Sequence, residues 1–181
     1  SRSARRDSRK RRCRSARGLR LAGDRDLVAG GNAFPNDDND EIFTYSRVST
    51  ATNQVTKTTR GPITNPIYNK NPTISGTGAR VAFASTGENP IDDPNSATNF
   101  TTGSNPVASR NEEIFYANLG GGGPTGGKQI TTTTPINAGD PVNMLDSGKR
   151  MSRDGRFIAF DSYADFPVPP ATTAGANLTS F

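Results

Sequence analysis

Residues 151–160 read MSRDGRFIAF, and a related stretch, ISGTGARVAF, lies 77 residues earlier at 74–83. Ser, Gly, Ala and Phe occupy the same places in both stretches, and Val81 of the first corresponds to Ile158 of the second. In each stretch a glycine is followed by apolar residues that alternate between large and small, which is the pattern of a β-strand entered through a tight turn. The pair therefore predicts two equivalent β-strands.

The two faces of these strands differ in side-chain size. Successive side chains of a strand point to opposite faces, so Val81 and Phe83 are predicted to share one face, as their counterparts do in the second stretch. Ala82 and Ala159 then occupy the other face, where small side chains suit close packing against another sheet.

Two further pairs of segments repeat in the same order along the chain. Glu-Ile-Phe occurs at 41–43 and again 72 residues later at 113–115, and NQVTKTT at 53–59 is followed 75 residues later by KQITTTT at 128–134. Their β-branched and aromatic residues are typical of strands. Three matches with one order and nearly one offset indicate an internal repeat.

The order of these segments predicts four antiparallel strands in each repeat. A short strand, a glycine turn and an apolar strand come first, and after a loop the Glu-Ile-Phe strand follows. The fourth strand is predicted to open at Gln54-Val55-Thr56 in one repeat and at Gln129-Ile130-Thr131 in the next, and to continue through the threonines.

The chain holds two to three such units. Residues 73–134 supply one whole unit, 41–59 the last two strands of the preceding one, and 148–163 the first two strands of the next. A degenerate match at Leu27–Gly31 supplies a candidate further strand for the first unit.

These segments resemble the TolB-type, WD-repeat-like (PD40-like) repeat family, whose repeats run as Ser-x-Asp-Gly-x-x-Ile-Ala-Phe, then Glu-Ile-Tyr/Phe, then a Leu-Thr or Ile-Thr strand. The resemblance covers about residues 31–163 and implies an all-β fold of β-propeller blades with four antiparallel strands each. Two to three blades are fewer than the 4–8 of a typical propeller, so it implies a partial propeller. Gly76-Thr77-Gly78 departs from the usual x-Asp-Gly turn, and the repeat exceeds the usual ~40–45 residues.

The composition excludes several classes of protein. A chain without His lacks the residue that Ser-His-Asp triads, HExxH zinc sites and imidazole acid–base chemistry require. One Cys cannot build a disulfide framework or a zinc ribbon within the chain. Only 31% of the residues are hydrophobic, and no window approaches the roughly 18 apolar residues of a membrane span.

The basic charge is concentrated in residues 1–20. Nine Arg and Lys10 stand there against Asp7, a local charge of +9, whereas 21–181 holds 12 basic and 16 acidic side chains, a charge of −4. We expect a disordered tail, because the segment repels itself and has no apolar periodicity. Such a run can bind phosphates by counterion release, but no aromatic residue interleaves with the arginines, which disfavours a nucleic-acid interface.

Asp37, Asp38 and Asp40 form a candidate calcium site. They lie in the run NDDNDE at 36–41, the densest group of oxygen ligands in the chain, and Ca²⁺ takes six to eight oxygens. The spacing lacks the central Gly and final Glu of an EF-hand, so a turn capped by Asn and Asp between two strands is the alternative. Asn111-Glu112-Glu113 occupies the equivalent place with fewer ligands. No cofactor other than this ion is predicted.

Two other candidate sites are better explained by a structural role than by a chemical one. The glycines and Lys128 in 120–128 faintly resemble a phosphate-binding loop, but Gln129 replaces the required Ser or Thr, so a flexible hairpin is predicted. Ser75 and Ser152 lack the flanking GxSxG of a serine nucleophile. No catalytic residue is predicted.

The sequence thus divides into a basic tail at 1–20, β-propeller blades at 21–165 and a loop segment rich in Pro, Thr and Ala at 166–181. We expect a non-enzymatic segment of a larger protein that serves protein–protein interaction or scaffolding, with protein partners that include further copies of the chain, and no membrane span. The resemblance implies a bacterial periplasmic or extracellular (secreted) protein. The alternatives are an accessory domain of a peptidase or hydrolase whose catalytic domain lies elsewhere, and nucleic-acid binding through the tail.

Overall fold

A computed structural model describes residues 39–61, 64–92, 105, 110–121, 123–135 and 141–164. The described residues form antiparallel β-strands and no helix, so the predicted all-β class is confirmed. In this part of the chain there is accordingly no helix that could cross a membrane. The predicted tail at 1–20, the candidate strand at Leu27–Gly31 and the segment 166–181 lie outside the described residues.

Eight strands form three separate sheets within the described ranges. They are β1 (Phe43–Ser46), β2 (Ala51–Gln54), β3 (Asn69–Ile74), β4 (Arg80–Ser85), β5 (Glu113–Gly120), β6 (Gly123–Gln129), β7 (Asn143–Met144) and β8 (Asp161–Ser162). Strands β1 and β2 make the first sheet, β3-β4-β5-β6 the middle sheet in that order, and β7 and β8 the third. Every pairing is antiparallel.

The middle sheet has the four antiparallel strands predicted for the whole unit, but its limits differ. The first strand begins at Asn69 rather than near residue 73, and the fourth strand ends at Gln129 rather than beginning there. In the first sheet, too, Gln54 is the last residue of β2 and not the start of a strand. Beyond these glutamines, the hydroxyls of the buried Thr56 and Thr131 accept the Ile42 and Ile114 N–H groups, so side-chain bonds take over from the backbone ladder.

The glycine-rich segment predicted as a flexible hairpin is mostly a strand. Gly120 of β5 pairs with Gly123, and Gly123–Gln129 forms a strand that pairs with β5, with a register shift between Asn118 and Leu119. Gly123 has a φ of +117°, a conformation that residues with a side chain rarely adopt. A Cβ on Gly120 would lie 2.5 Å from the Thr125 methyl, so a larger residue there would require the Thr125 side chain to move.

One face of the middle sheet packs on the first sheet. Val81 and Phe83 of β4 share a buried cluster with Ile42 and Val55, as the predicted alternation requires. Phe83 lies directly opposite Phe115 of β5, and their rings are stacked with centroids 5.8 Å apart. This pair fills the centre of the junction between the first two sheets.

The opposite face of the middle sheet packs on the third sheet. Ala82 is fully buried there against a cluster that includes Leu145 and Met151, which confirms the predicted close packing on the alanine face. Ile158 and Phe160, in the segment that leads into β8, pack against the same cluster. Ala159, by contrast, is exposed, so the close packing predicted for it is not seen in the described part of the chain.

A serine-centred turn precedes the final strand of the third sheet. Ser152 Oγ lies 2.6 Å from the Asp154 carboxylate and accepts the Phe157 N–H at 3.0 Å, and the Asp154 carboxylate accepts the Arg156 N–H at 3.1 Å. Asp154 is therefore a turn residue. These bonds also lower the pKa of Asp154, chiefly through the Ser152 hydroxyl.

The corresponding turn of the middle sheet has the same form without an aspartate. Ser75 Oγ accepts the Arg80 N–H at 3.1 Å and lies 3.1 Å from the Thr77 hydroxyl, which takes the place of the Asp154 carboxylate. Gly78, like its counterpart Gly155, has a positive φ, +73°. The Thr77 hydroxyl thus replaces the aspartate carboxylate. The turn forms for this reason although its sequence departs from the x-Asp-Gly pattern.

The two turns also contact each other. Arg80 Nη1 donates to the carbonyls of Asp154 and Gly155, both at 3.3 Å, and the Thr77 N–H donates to the Arg153 carbonyl at 3.1 Å. The turns of successive sheets therefore lie side by side.

We predict that Phe115→Ala lowers the free energy of unfolding by about 3–5 kcal/mol, because it leaves a cavity beside Phe83 in the fully buried cluster. Phe157→Ala is the matched control, since that ring is 70% exposed, and its effect should stay within about 0.5 kcal/mol. Urea denaturation followed by circular dichroism measures both. Equal effects of the two variants would contradict the assignment of the core.

Candidate functional site

A fully buried carboxylate, Glu113, lies at the first position of β5. Its Oε1 accepts the Thr133 N–H at 2.6 Å and the Thr133 hydroxyl at 2.9 Å. Its Oε2 accepts the Thr131 hydroxyl and, at 3.0 Å, the Asn143 side-chain amide. Four neutral donors from two other segments of the chain therefore converge on one carboxylate.

Asn143 connects this carboxylate to the third sheet. It belongs to β7, and its Nδ2 also lies 2.7 Å from the Thr133 hydroxyl and 3.2 Å from the Glu112 carbonyl. Its Oδ1 accepts the Ser162 hydroxyl of β8 at 2.8 Å. The cluster thus joins the middle sheet to both strands of the third.

The same arrangement surrounds Glu41 immediately before β1. Its Oε1 accepts the Thr58 N–H at 2.6 Å and the Thr58 hydroxyl at 2.8 Å, and its Oε2 accepts the Asn69 amide at 3.1 Å. Asn69 belongs to β3 and its Oδ1 accepts the Ser85 hydroxyl of β4 at 2.8 Å. This second cluster joins the first sheet to the middle one.

The two clusters correspond residue by residue. We call them the Glu41 cluster and the Glu113 cluster, and their matching members are Asn39 and Asn111, Gln54 and Gln129, Thr56 and Thr131, Thr58 and Thr133, Asn69 and Asn143, and Ser85 and Ser162. In both, the glutamine side chain bonds the carbonyl of the first threonine, at 2.7 Å and 2.6 Å. In both, that threonine hydroxyl accepts the N–H of the isoleucine after the glutamate, at 2.8 Å and 2.9 Å.

Burial governs the electrostatics of both carboxylates. It raises the pKa of Glu41 and of Glu113 above the ordinary value of 4.5, and the hydrogen bonds from the threonines oppose this rise without cancelling it. The carboxylate of the neighbouring Glu112 forms an ion pair with Lys70 of β3 at 2.5 Å. Glu113 is thus hydrogen-bonded by neutral groups, whereas Glu112 forms the ion pair with Lys70.

The geometry of the clusters suits a structural role. Internal donors occupy the positions around these carboxylate oxygens that a metal ion would need. What it can do is fix the segments that donate to it, because each buried donor needs an acceptor. The clusters therefore act as clamps between successive sheets.

The candidate calcium site is only partly within the described chain. Asp37 and Asp38 lie outside the described residues, while Asp40 is exposed and its backbone carbonyl accepts the Asn69 amide at 3.0 Å. Within the described ranges no group of three or more His, Cys, Asp or Glu side chains is placed to hold a metal ion. The next residue, Glu41, is committed to its cluster.

Sequence reasoning missed the role of the buried glutamates and threonines. Glu41 and Glu113 were expected to be strand residues or weak metal ligands, and Thr58 and Thr133 to be parts of polar edge strands. A signal was present, because Gln-x-Thr-x-Thr occurs at both 54–58 and 129–133. Strand propensity accounts for Thr in such a segment but not for Gln. The identical spacing of Gln and Thr in both segments therefore indicated that these side chains make the same contacts.

A scan against protein-family models and searches of curated proteins and of solved structures find no match to this chain.

We predict that Glu113→Ala lowers the free energy of unfolding by at least about 3 kcal/mol, because several buried donors lose their acceptor at about 1–3 kcal/mol each. Glu88→Ala removes an exposed carboxylate and should change it by no more than about 0.5 kcal/mol. Chemical denaturation measures both values. A Glu113→Ala protein as stable as the Glu88→Ala protein would show that the cluster is not a clamp.

The raised pKa of Glu113 predicts a pH dependence with a defined sign. The stability that accompanies a raised folded-state pKa is complete below the unfolded value of 4.5 and is lost as the pH rises through the folded value. The stability of the wild type relative to Glu113→Gln should therefore fall as the pH is raised from about 4 to about 8.

Asp154→Asn is the control for this titration. The pKa of Asp154 is lowered from 3.8, so its relative stability should stay constant over the same range. Unfolding curves at several pH values give both differences. A difference for Glu113→Gln that grows with pH would contradict the prediction.

Proposed function

We propose that the chain is a repeat protein of four-stranded units, the blades of a β-propeller, and that it serves as a non-enzymatic scaffold for protein–protein interaction. The observation that carries the proposal is the pair of matching clusters around Glu41 and Glu113, one at each junction between successive sheets. Units of a repeat protein contact their neighbours through one recurring interface. A junction that recurs residue by residue supports that architecture.

The packing of the sheets supports the same architecture. The middle sheet is covered on both faces, by the first sheet over Phe83 and by the third sheet over Ala82. A four-stranded sheet of this size has little core of its own and gains one from its neighbours, as blades do in a propeller.

The polar groups of the described chain support a scaffold rather than an enzyme. The hydroxyls of Ser75 and Ser152 are engaged in their turns, and Glu41 and Glu113 are enclosed by internal donors. The residues best suited to nucleophilic or acid–base chemistry are therefore used to hold the fold.

Exposed apolar side chains support contact with other proteins. Val48 is 98% exposed, Phe157 70% and Tyr45 61%, and aromatic residues on a surface are favoured anchors of protein interfaces. The resemblance to TolB-type repeats adds a bacterial periplasmic or extracellular (secreted) setting, within a larger protein, to the proposal.

The test is affinity capture from cell-envelope and secreted fractions of the source organism, with four baits: the wild-type chain, residues 21–181, Glu88→Ala and Glu113→Ala. We expect the first three baits to retain the same protein and the destabilised Glu113→Ala bait to lose it. The captured protein, once purified, should bind the wild-type chain with a fixed stoichiometry in titration calorimetry.

Two results would contradict the scaffold proposal. Capture that is equal for Glu113→Ala would mean that the fold is irrelevant to binding. Loss of capture with residues 21–181 would assign the binding to the basic tail, and a steep decrease with salt would then indicate a nucleic-acid or phosphate ligand.

A further inference from the structure

Three arginines surround the two turns that lie side by side, and we call Arg80, Arg153 and Arg156 the arginine ridge. Arg80 opens β4 directly after the first turn, and its Nη1 donates to two backbone carbonyls of the second turn, both at 3.3 Å. Arg153 lies in the second turn against Gly76 of the first, where an added Cβ would be only 2.6 Å from the Arg153 Cγ. Arg156 follows in the same turn. The contacts between the turns therefore bring three guanidinium groups to one part of the surface.

The charges of the ridge are not neutralised by neighbouring acids. Arg80 Nε donates to the side-chain oxygen of Asn118 at 3.0 Å, so the bonds of this guanidinium go to neutral acceptors. The other two arginines of the ridge are exposed. Neither ion pair between described residues includes a ridge arginine, since these pairs join Lys70 to Glu112 and Arg150 to Asp146.

The surroundings of the ridge are basic although the body of the chain is acidic. Residues 146–157 together with Arg80 hold five basic and two acidic side chains, a charge of +3, whereas 21–181 carries −4. Of the two acids, Asp146 is in its ion pair and Asp154 is bonded within its turn by the Ser152 hydroxyl at 2.6 Å. The local charge favours a ligand with carboxylates, and the acidic body disfavours a long polyanion.

Exposed apolar side chains accompany these cations. Phe157 directly follows Arg156 and is 70% exposed, and Ile74, the last residue of β3 before the first turn, is 50% exposed. Arginine and aromatic side chains are the usual anchors of protein interfaces. The combination fits a peptide that carries both carboxylates and an apolar residue.

We propose that the arginine ridge and Phe157 bind an acidic peptide segment of a partner protein, with carboxylates on Arg153 and Arg156 and an apolar side chain against Phe157. This inference deepens the proposed scaffold function, on which it rests, by giving the chemistry of the partner. A guanidinium binds a carboxylate through two parallel hydrogen bonds, which fixes the orientation of the segment. Arg80 is a positioning residue, because it holds the two turns together.

The test is a fluorescence anisotropy titration with three labelled probes. They are an octapeptide of six Glu and Asp with two Leu, its counterpart with Gln and Asn in place of the acids, and an oligothymidylate with six phosphates. The protein is the full chain in which Gln replaces the nine Arg and Lys10 of residues 1–20, because those side chains attract any anion.

We expect the acidic peptide to bind and its neutral counterpart not to bind. The double variant Arg153→Gln with Arg156→Gln should weaken binding at least about fivefold, because it removes two charge-assisted contacts. The matched control, Arg47→Gln with Arg60→Gln, removes two other exposed arginines and should weaken binding by less than about twofold. Phe157→Ala should weaken binding of the peptide with leucines but not of a peptide of Glu and Asp alone.

Three results would overturn the inference. They are equal weakening by the two double variants, no binding of the acidic peptide at about 1 mM, and tighter binding of the oligothymidylate that is lost with the ridge variant. The last result would assign the ridge to a nucleic acid. Should urea denaturation show that the double variant is destabilised, Arg156→Gln alone decides with an expected loss of about twofold, because the bonds of Arg156 within the turn come from its backbone N–H.

The outcomes separate this inference from the proposed function. A bait with Arg153→Gln and Arg156→Gln that captures the same protein as the wild type would defeat only the arginine ridge. A wild-type bait that captures no protein would defeat the scaffold, whereas the peptide titration would still measure binding at the ridge.

Discussion

The burial of a carboxylate among neutral donors is the interaction on which the packing of this chain depends. An ionised carboxylate taken out of water must be surrounded by hydrogen-bond donors, or the cost exceeds what a small domain can tolerate. Glu113 obtains its donors from Thr131, Thr133 and Asn143, which belong to the segment after β6 and to β7. One side chain thereby fixes the end of one sheet and the start of the next.

This constraint explains where strands β2 and β6 end. The Ile130 N–H still donates to the Ile114 carbonyl at 2.7 Å, and the Thr131 hydroxyl then accepts the Ile114 N–H and bonds Glu113, so side-chain bonds replace the backbone ladder from Thr131 onward. In the first sheet the Val55 N–H likewise donates to the Ile42 carbonyl at 2.8 Å, and the Thr56 hydroxyl then accepts the Ile42 N–H at 2.8 Å. The polar contacts and the strand limits are two aspects of one arrangement.

Apolar contacts cover both faces of the middle sheet. Phe83 and Phe115 stack on the face that meets Ile42 and Val55, and Ala82, Ala84 and Ile114 lie on the face that meets Leu145 and Met151. Hydrophobic packing brings the sheets together without direction, whereas the hydrogen-bonded clusters fix which residues meet. Both are needed to define the junctions.

The sequence by itself determined the all-β class, the four-stranded middle sheet and the turn at Asp154, because alternation and turn residues act locally and can be read along the chain. It did not show that Glu113 is enclosed or that the glycine-rich 123–129 is a strand. Those features depend on residues far apart in the chain, Asn143 for the carboxylate and β5 for the glycines. Only the tertiary structure brings such groups together, since long-range contacts leave no periodic signal in the segments that make them.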